Sequence, residues 1–201
     1  MPFLLRVELP DVPGSLGRVA TTIGESGGDI EAIEIVEKRD GMAVDDVLLE
    51  MHDGAMPDSI ISACNAIDGV RVMWISRYAA GGNIFLDLEV VEELTAQPAE
   101  ALDRVVDLLP VAFRADWAMR IHRSKGVLRA TDAAPEELRF VEIERTSRVE
   151  VEGDEVNLYA GARIDGNDVV VIGRRGGPEF VDSELARLGH LVSLAASLAR
   201  P

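Results

Sequence analysis

The hydrophobic pattern of the first eighty residues alternates between two periods. Apolar side chains at every second position from Phe3 to Leu9 are typical of a half-buried strand. From Leu16 to Ile23 the apolar side chains recur at helical spacing, and a pair of glycines follows them. The same periods predict two strands, a second helix and a fourth strand over residues 30–38, 44–51, 57–68 and 70–78. The predicted order is therefore βαββαβ.

This order of elements predicts a fold for the N-terminal part. The segment Arg39–Met42, with the sequence RDGM, contains the Asp-Gly pair that favours a tight hairpin between the second and third strands. Two helices can cover one face of a four-stranded antiparallel sheet in this order, which is the ferredoxin-like arrangement. We interpret Asp45, Asp46 and the glutamates of the second strand as a solvated face of that sheet.

The turn between the first strand and the first helix carries the most specific motif. It reads DVPGSL from Asp11 to Leu16, and the segment Gly28–Ile30, with the sequence GDI, opens the next strand. Together with the βαββαβ order, this motif resembles ACT domains over residues 2–79. The resemblance implies an allosteric, regulatory module that binds an amino acid, commonly at an interface between two copies.

The chemistry of this turn suits a carboxylate ligand. Pro13 lacks an amide hydrogen and is well placed in a first helical turn. Gly14 has no Cβ, so a ligand can approach its backbone closely. We expect the amides of Gly14, Ser15 and Leu16 to point outward without partners at the positive end of the helix dipole. The alternative interpretation is that Asp11 only caps the helix.

The predicted ligand site combines this turn with the start of the second strand. Its residues are Asp11, Val12, Pro13, Gly14, Ser15, Leu16, Asp29 and Ile30. Relatives that bind amino acids often carry a polar residue at the position of Leu9 and an asparagine at that of Asp29. Two carboxylates near one site would favour an ammonium and disfavour an acidic ligand. We therefore expect a small neutral amino acid, and the alternative is a domain that dimerises without a ligand.

The small residues of the sequence AAGGN, at positions 79–83, predict a domain boundary. We expect a first domain over residues 1–79, a linker or helix over residues 80–97, and a second domain over residues 98–201. Within the second domain, a helix that Pro110 stops precedes four predicted strands and a final helix. These strands and the helix are expected over residues 115–123, 126–131, 156–164, 168–175 and 182–199, with the hairpin DGND at residues 165–168.

The segment from Leu158 to Ala199 resembles the last part of a GAF domain. The resemblance rests on a strand, a glycine turn, a hydrophobic strand, the sequence GGPEF and a helix rich in Leu and Ala. It extends over residues 98–200 and implies an antiparallel sheet with flanking helices, so the whole chain is expected to be α+β. The connection before Val156 is shorter than in most GAF domains, which argues against a cyclic nucleotide or a chromophore.

Composition narrows the classes of partner. With 36 acidic and 20 basic residues the chain carries a net charge of −16, which disfavours nucleic acid. A single cysteine, Cys64, excludes an internal disulfide and fits a reducing cytosol. No apolar run approaches the length that spans a bilayer, and no signal-peptide pattern opens the chain. We therefore expect a cytoplasmic protein with neither a nucleic acid nor a membrane partner.

The residues that could carry chemistry do not form a catalytic pattern. His52, His122 and His190 are scattered and predict no metal site. No nucleophile, base and orienting group assemble, so we expect no catalytic residue, no cofactor and no enzymatic activity.

The leading hypothesis is a homodimeric regulatory protein that pairs through the strand at residues 30–38. It would sense the amino acid in its ACT-like domain and signal through its GAF-like domain. The alternative is a dimerising scaffold that docks on a metabolic enzyme without binding a ligand.

Overall fold

The structure, a computed structural model, describes residues 2–52, 54–77, 82–151, 153–154 and 156–200, with only the backbone at positions 82 and 83. The chain divides into two compact units, Met1–Gly82 and Asn83–Pro201. The predicted α+β class is confirmed in both units. The predicted boundary at residues 79–83 falls mostly on Ala79, Ala80 and Gly81, which lie outside the described residues. Tyr78, the predicted end of the fourth strand, also lies outside them.

The first unit has the predicted βαββαβ order. Its elements are β1 (Pro2–Pro10), α1 (Ser15–Glu25), β2 (Gly28–Arg39), β3 (Met42–Met51), α2 (Pro57–Asn65) and β4 (Arg71–Arg77). The four strands form an antiparallel sheet in the order β2-β3-β1-β4. The hairpin between β2 and β3 is confirmed, because Asp40 and Gly41 both take the positive φ that such a tight turn requires (53° and 77°).

One face of this sheet packs against α1 and α2. Val19 and Ile23 of α1 and Ile60 and Cys64 of α2 are fully buried against alternate residues of the strands, such as Val47. Each large apolar side chain buried in this way contributes about 1.5–3 kcal/mol. The prediction of a buried Cys64 is confirmed, and burial raises the pKa of its thiol.

The other face of the sheet is also largely buried at its centre, so β1 is buried on both sides rather than half-buried. Arg6 lies on this face and is only 3% exposed. Its guanidinium donates two hydrogen bonds to the carboxylate of Asp46, at 2.7 and 2.8 Å, because the antiparallel register sets these two residues opposite each other. A bidentate Arg–carboxylate pair of this kind keeps both buried charges satisfied.

The second unit is a five-stranded antiparallel sheet with helices on one face. Its elements are α3 (Gly82–Ala96), a short 3₁₀ turn (Pro98–Glu100), α4 (Ala101–Phe113), β5 (Trp117–His122), β6 (Gly126–Ala130), β7 (Ser147–Val149), β8 (Asn157–Arg163), β9 (Asp168–Arg175) and α5 (Asp182–Leu198). The strand order is β6-β5-β9-β8-β7. Helices α3, α4 and α5 build one core with one face of this sheet, and the segment 134–143 covers the other face.

Two details of the second unit differ from the prediction. Pro110 does not stop α4, which continues to Phe113. A proline near the end of a helix removes one backbone hydrogen bond, and the buried Ala112 and Phe113 hold the last turn against the core. The three-residue strand β7 was not predicted, since it is too short to show a period. In the described part of the chain no helix is both long and apolar enough to cross a bilayer.

Candidate functional site

The turn between β1 and α1 is held against the β2–β3 hairpin. The amide of Asp11 donates to the carbonyl of Gly41 at 2.9 Å, and the amide of Val12 donates to the carbonyl of Pro10 at 2.8 Å. Pro10 itself pairs with Met42 at the start of β3. The turn therefore lies at the end of the sheet where β2 passes into β3, and the Val12 side chain is exposed there.

Gly14 is the residue that lets the chain enter α1. It is the N-cap, with a left-handed conformation (φ 91°, ψ −14°) that an L side chain adopts only under strain. A Cβ built on Gly14 would meet no atom within 4 Å, so the space in front of this backbone is open. The expectation that Pro13 belongs to the first helical turn is wrong, because α1 begins at Ser15 and Pro13 precedes the cap.

The start of α1 leaves backbone donors available. The amide of Ser15 donates to the carbonyl of Val12 at 3.2 Å, so the prediction that it would be unpaired is wrong. The amides of Gly14, Leu16 and Gly17 have no acceptor among the described residues. These three N–H groups lie at the positive end of the helix dipole, where an anionic group is stabilised.

Asp11 does not cap the helix. No described side chain caps the start of α1, and the carboxylate of Asp11 instead accepts hydrogen bonds from Nζ of Lys38, at 2.8 and 3.0 Å. The interpretation of Asp11 as a helix cap is therefore wrong, since the glycine at the cap position turns the chain without a side-chain acceptor. Both partners of this ion pair are exposed, and a pair of this kind stabilises a protein by at most about 1 kcal/mol.

Asp29 lies at the other end of the sheet. It pairs with Glu50 of β3, which in turn pairs with Pro2 at the start of β1. Asp11 follows the last residue of β1, so roughly 25 Å of strand separates it from Asp29. The prediction that Asp11 and Asp29 share one site is therefore wrong within a single chain. Ile30 packs into the core of the first unit, as Leu16 does.

The sequence analysis missed Asp45, which it assigned to a solvated face. Asp45 pairs with Val7 of β1 and Ile35 of β2, on the face that the helices cover, and is only 1% exposed. No donor in the described part of the chain reaches its Oδ1 atom. Burial raises the pKa of Asp45, Lys38 opposes that shift, and Asp11 and Asp46 add to it. The signal was available, because Asp45 continues the period-two series of Val47, Leu49 and Met51.

The second unit contains a cleft of about 620 Å³ beside β7, β8 and the segment that precedes α5. Its polar wall includes Asp154, which accepts hydrogen bonds from the Tyr159 hydroxyl, from Nδ2 of Asn157 and from two backbone amides. These donors lower the pKa of Asp154, and burial together with Asp154 raises the pKa of Tyr159 to about 12. The polar groups of this wall therefore satisfy one another.

Arg174 is also occupied within the second unit. Its guanidinium donates to the carbonyls of Pro178 and Phe113 and to the carboxylate of Glu184. These three bonds hold the two terminal nitrogens of the guanidinium inside the second unit, and its Nε has no acceptor among the described residues. Among the described residues, no three His, Cys, Asp or Glu side chains lie close enough together to hold a metal ion.

Comparison with known proteins identifies the N-terminal part. Residues 3–67 match the ACT domain family, so an ACT domain occupies this part of the chain. A curated relative, NAD-dependent malic enzyme 1 of Bacillus subtilis (strain 168), is 36% identical over 73 residues. The match covers 36% of this chain and only 17% of the malic enzyme.

Solved structures are similar to the chain at low sequence identity. The GAF domain of a phosphoenolpyruvate-protein phosphotransferase from Acinetobacter is 13% identical, with a TM-score of 0.47, and the match covers 60% of this chain and 94% of that domain. An unknown protein from Galdieria sulphuraria is 11% identical, with a TM-score of 0.35, over 98% of this chain and 90% of its own length.

Proposed function

We propose that this protein is a non-enzymatic regulator whose ACT domain senses a small neutral amino acid and whose GAF-like second unit relays the bound state. The observation that carries the proposal is the open start of α1. There Gly14 leaves clear space in front of its backbone, and the amides of Gly14, Leu16 and Gly17 have no acceptor among the described residues. Backbone donors at a helix start suit the carboxylate of an amino acid.

The charges around the turn favour a ligand with one carboxylate over a ligand with two. Asp11 and Asp45 both lie at this end of the sheet, and Lys38 is already paired with Asp11. A second carboxylate on the ligand would meet these acidic groups without a compensating cation. The proposed ligand is therefore a neutral amino acid, and the proposed setting is the cytoplasm, without nucleic acid, membrane or metal.

The second part of the proposal is a homodimer that pairs through β2. This strand is an edge of the first sheet, and its Ile33 and Ile35 side chains are 37% and 51% exposed. An edge strand with exposed apolar residues invites a second strand. Antiparallel pairing of two β2 strands would bring the start of one beside the end of the other. Asp29 of a second copy would then approach the turn that holds Asp11.

A thermal-shift screen of the 201-residue chain with the twenty L-amino acids tests ligand binding. A ligand at 100 times its Kd stabilises a protein by about 2.7 kcal/mol, which moves the Tm by several degrees. We expect one or more neutral amino acids to raise the Tm, and the Gly14→Val variant to lose this response. The matched control is Gly24→Ala in the same helix, where a Cβ also meets no atom within 4 Å. A parent protein that responds to none of the twenty would overturn the sensing proposal.

The alternative function is a dimerising scaffold that docks on a metabolic enzyme. The exposed isoleucines of β2 favour dimerisation whether or not a ligand binds. The malic enzyme match adds that a segment similar to 36% of this chain occurs within an enzyme. A dimer by light scattering, with no amino acid response in the screen, is the result expected from the scaffold. A monomer at tens of micromolar would remove the pairing through β2 from both functions.

A further inference from the structure

Asp45 is a buried acidic side chain whose Oδ1 atom has no hydrogen-bond partner among the described residues. It is the fourth residue of β3, between Val7 and Ile35, and shares its face with Val47 and Leu49 of the core. Most buried carboxylates are hydrogen-bonded or ion-paired, so this exception calls for a partner that the described residues do not supply.

The charged residues near Asp45 are already engaged with other groups. Lys38 is the cation that acts on Asp45, but its ammonium is held by Asp11 at 2.8 and 3.0 Å. Arg6 is on the opposite face of the sheet, where it binds Asp46. Asp45 is therefore the member of this charged cluster that can accept a further cation without displacing an existing ion pair.

The position of Asp45 relates it to the start of α1. Lys38 pairs with Ala43, which is two residues from Asp45 on the same face of β3, so the Lys38–Asp11 ion pair lies at the same end of the sheet as Asp45. Asp11 in turn belongs to the turn that ends in the open amides of Gly14 and Leu16. Among the described residues, the backbone amides at the start of α1 thus have no acceptor, and Oδ1 of Asp45 at the same end of the domain has no donor.

We propose that Asp45 binds the α-ammonium group of the ligand whose carboxylate binds the amides at the start of α1. The inference rests on the proposed amino acid site and adds the residue that distinguishes an amino acid from a simple carboxylic acid. An α-amino acid carries one anionic and one cationic group on the same carbon, which matches the two kinds of unsatisfied group at this site. Asp11 keeps Lys38 away from Asp45 and serves as a positioning residue.

Calorimetric titration of the 201-residue chain tests this assignment. The probes are the amino acid that raises the Tm most in the screen of twenty and the acid that lacks only its α-amino group. The parent should bind the amino acid at least tenfold more tightly than the deaminated acid. Asp45→Asn should weaken the amino acid at least tenfold, leave the deaminated acid within about threefold, and so remove the discrimination, since the loss of a charge-assisted hydrogen bond acts on the amine alone.

Two further variants keep the test decisive. Asp11→Asn frees the ammonium of Lys38 to pair with Asp45, so it should weaken the amino acid more than about threefold and leave the deaminated acid within about threefold. An unchanged affinity for the amino acid would overturn the positioning role of Asp11. Asp45→Ser replaces Asp45→Asn if the asparagine variant does not fold, because serine buries fewer polar groups than the asparagine amide does. An Asp45 variant that still discriminates against the deaminated acid overturns the role of Asp45 and leaves the amino acid site intact. Equal loss of both probes also overturns it, and a parent that binds no amino acid overturns the site itself.

Discussion

The two faces of the N-terminal sheet place two adjacent acidic residues in different environments, one with an arginine partner and one without a donor at Oδ1 among the described residues. Asp45 and Asp46 are 1% and 4% exposed, so burial alone does not distinguish them. Asp46, on one face, receives two hydrogen bonds from Arg6, whereas no described donor reaches Oδ1 of Asp45 on the face that the helices cover. The paired carboxylate of Asp46 belongs to the structure of the fold, whereas the unsatisfied Oδ1 of Asp45 is the atom that we propose the ligand completes.

The second unit supports this distinction with a third carboxylate. Asp154 accepts hydrogen bonds from Tyr159, Asn157 and backbone amides, and these bonds lower its pKa. Asp45 has its pKa raised, chiefly by burial. Although Asp154 lines a cleft, its environment already stabilises the charged form. The cleft wall is therefore a weaker candidate for binding a cationic ligand than the first unit.

The largest effect on stability is expected from Arg6→Met. The change leaves Asp46 buried without its guanidinium partner, and breaking a buried ion pair in this way destabilises a protein by about 3–5 kcal/mol. Urea unfolding at neutral pH, followed by circular dichroism, measures the loss. If the free energy of unfolding fell by less than about 1 kcal/mol, the Arg6–Asp46 pair would be as weak as a surface ion pair. The contrast between a stabilising Asp46 and an unsatisfied Asp45 would then fail.

The next effect concerns ligand binding at Gly14. Gly14→Val places a β-branched side chain on a left-handed residue and over the amides at the start of α1, so affinity for the amino acid should fall at least 100-fold. The left-handed conformation itself costs the variant about 1–2 kcal/mol of folding stability. Calorimetry and urea unfolding on the same sample separate the two effects. Binding that matches the parent would exclude these amides from the site.

A smaller effect is expected from Asp45→Asn in the absence of ligand. Removing a buried, unpartnered charge should leave the variant about 1 kcal/mol more stable than the parent at pH 7. The same variant should bind the amino acid poorly, so stability and affinity change in opposite directions. A variant less stable than the parent at pH 7 would show that Asp45 contributes to the fold.

The difference in stability between the parent and Asp45→Asn should depend on pH, because the pKa of Asp45 is raised. Burial favours the protonated form, so the unfolded chain ionises first, near the usual pKa of 3.8, and the folded chain ionises at higher pH. The stability that Asp45 contributes is complete below pH 3.8 and is lost as pH rises through its folded pKa. The difference between parent and Asp45→Asn should therefore grow across this window, which urea titrations at successive pH values measure. A difference independent of pH would contradict the shift.

The smallest effect is expected from Asp11→Ala. Its partner Lys38 is exposed and the pair is screened by solvent, so the loss of stability should stay below about 1 kcal/mol and decrease further in high salt. Lys38→Met is the matched control, since it removes the other member of the same pair. Thermal unfolding at low and high salt checks both variants. A much larger loss would restore Asp11 as a structural residue of the turn.

Period and turn chemistry were enough to predict the first unit from sequence. The alternation around Val7, the spacing of Val19 and Ile23 and the Asp-Gly pair at residues 40–41 each depend on neighbours in sequence. The site was harder to predict, because it depends on register. The pairing of the strands and their alignment place Asp29 far from Asp11. The same alignment sets Arg6 opposite Asp46 and leaves Oδ1 of Asp45 without a donor among the described residues. No local pattern encodes these pairings.

The central position of β1 has a consequence for how the protein folds. Strand β1 leaves the ribosome before both of the strands it pairs with, β3 on one side and β4 on the other, so that Phe3 meets both Leu49 and Arg77. Neither neighbour of β1 exists when β1 is synthesised, and such distant pairings make folding slower than local ones. Folding of the complete four-stranded sheet must therefore wait for β4, and until then β1 has at least one open edge that chaperones and other nascent chains can contact.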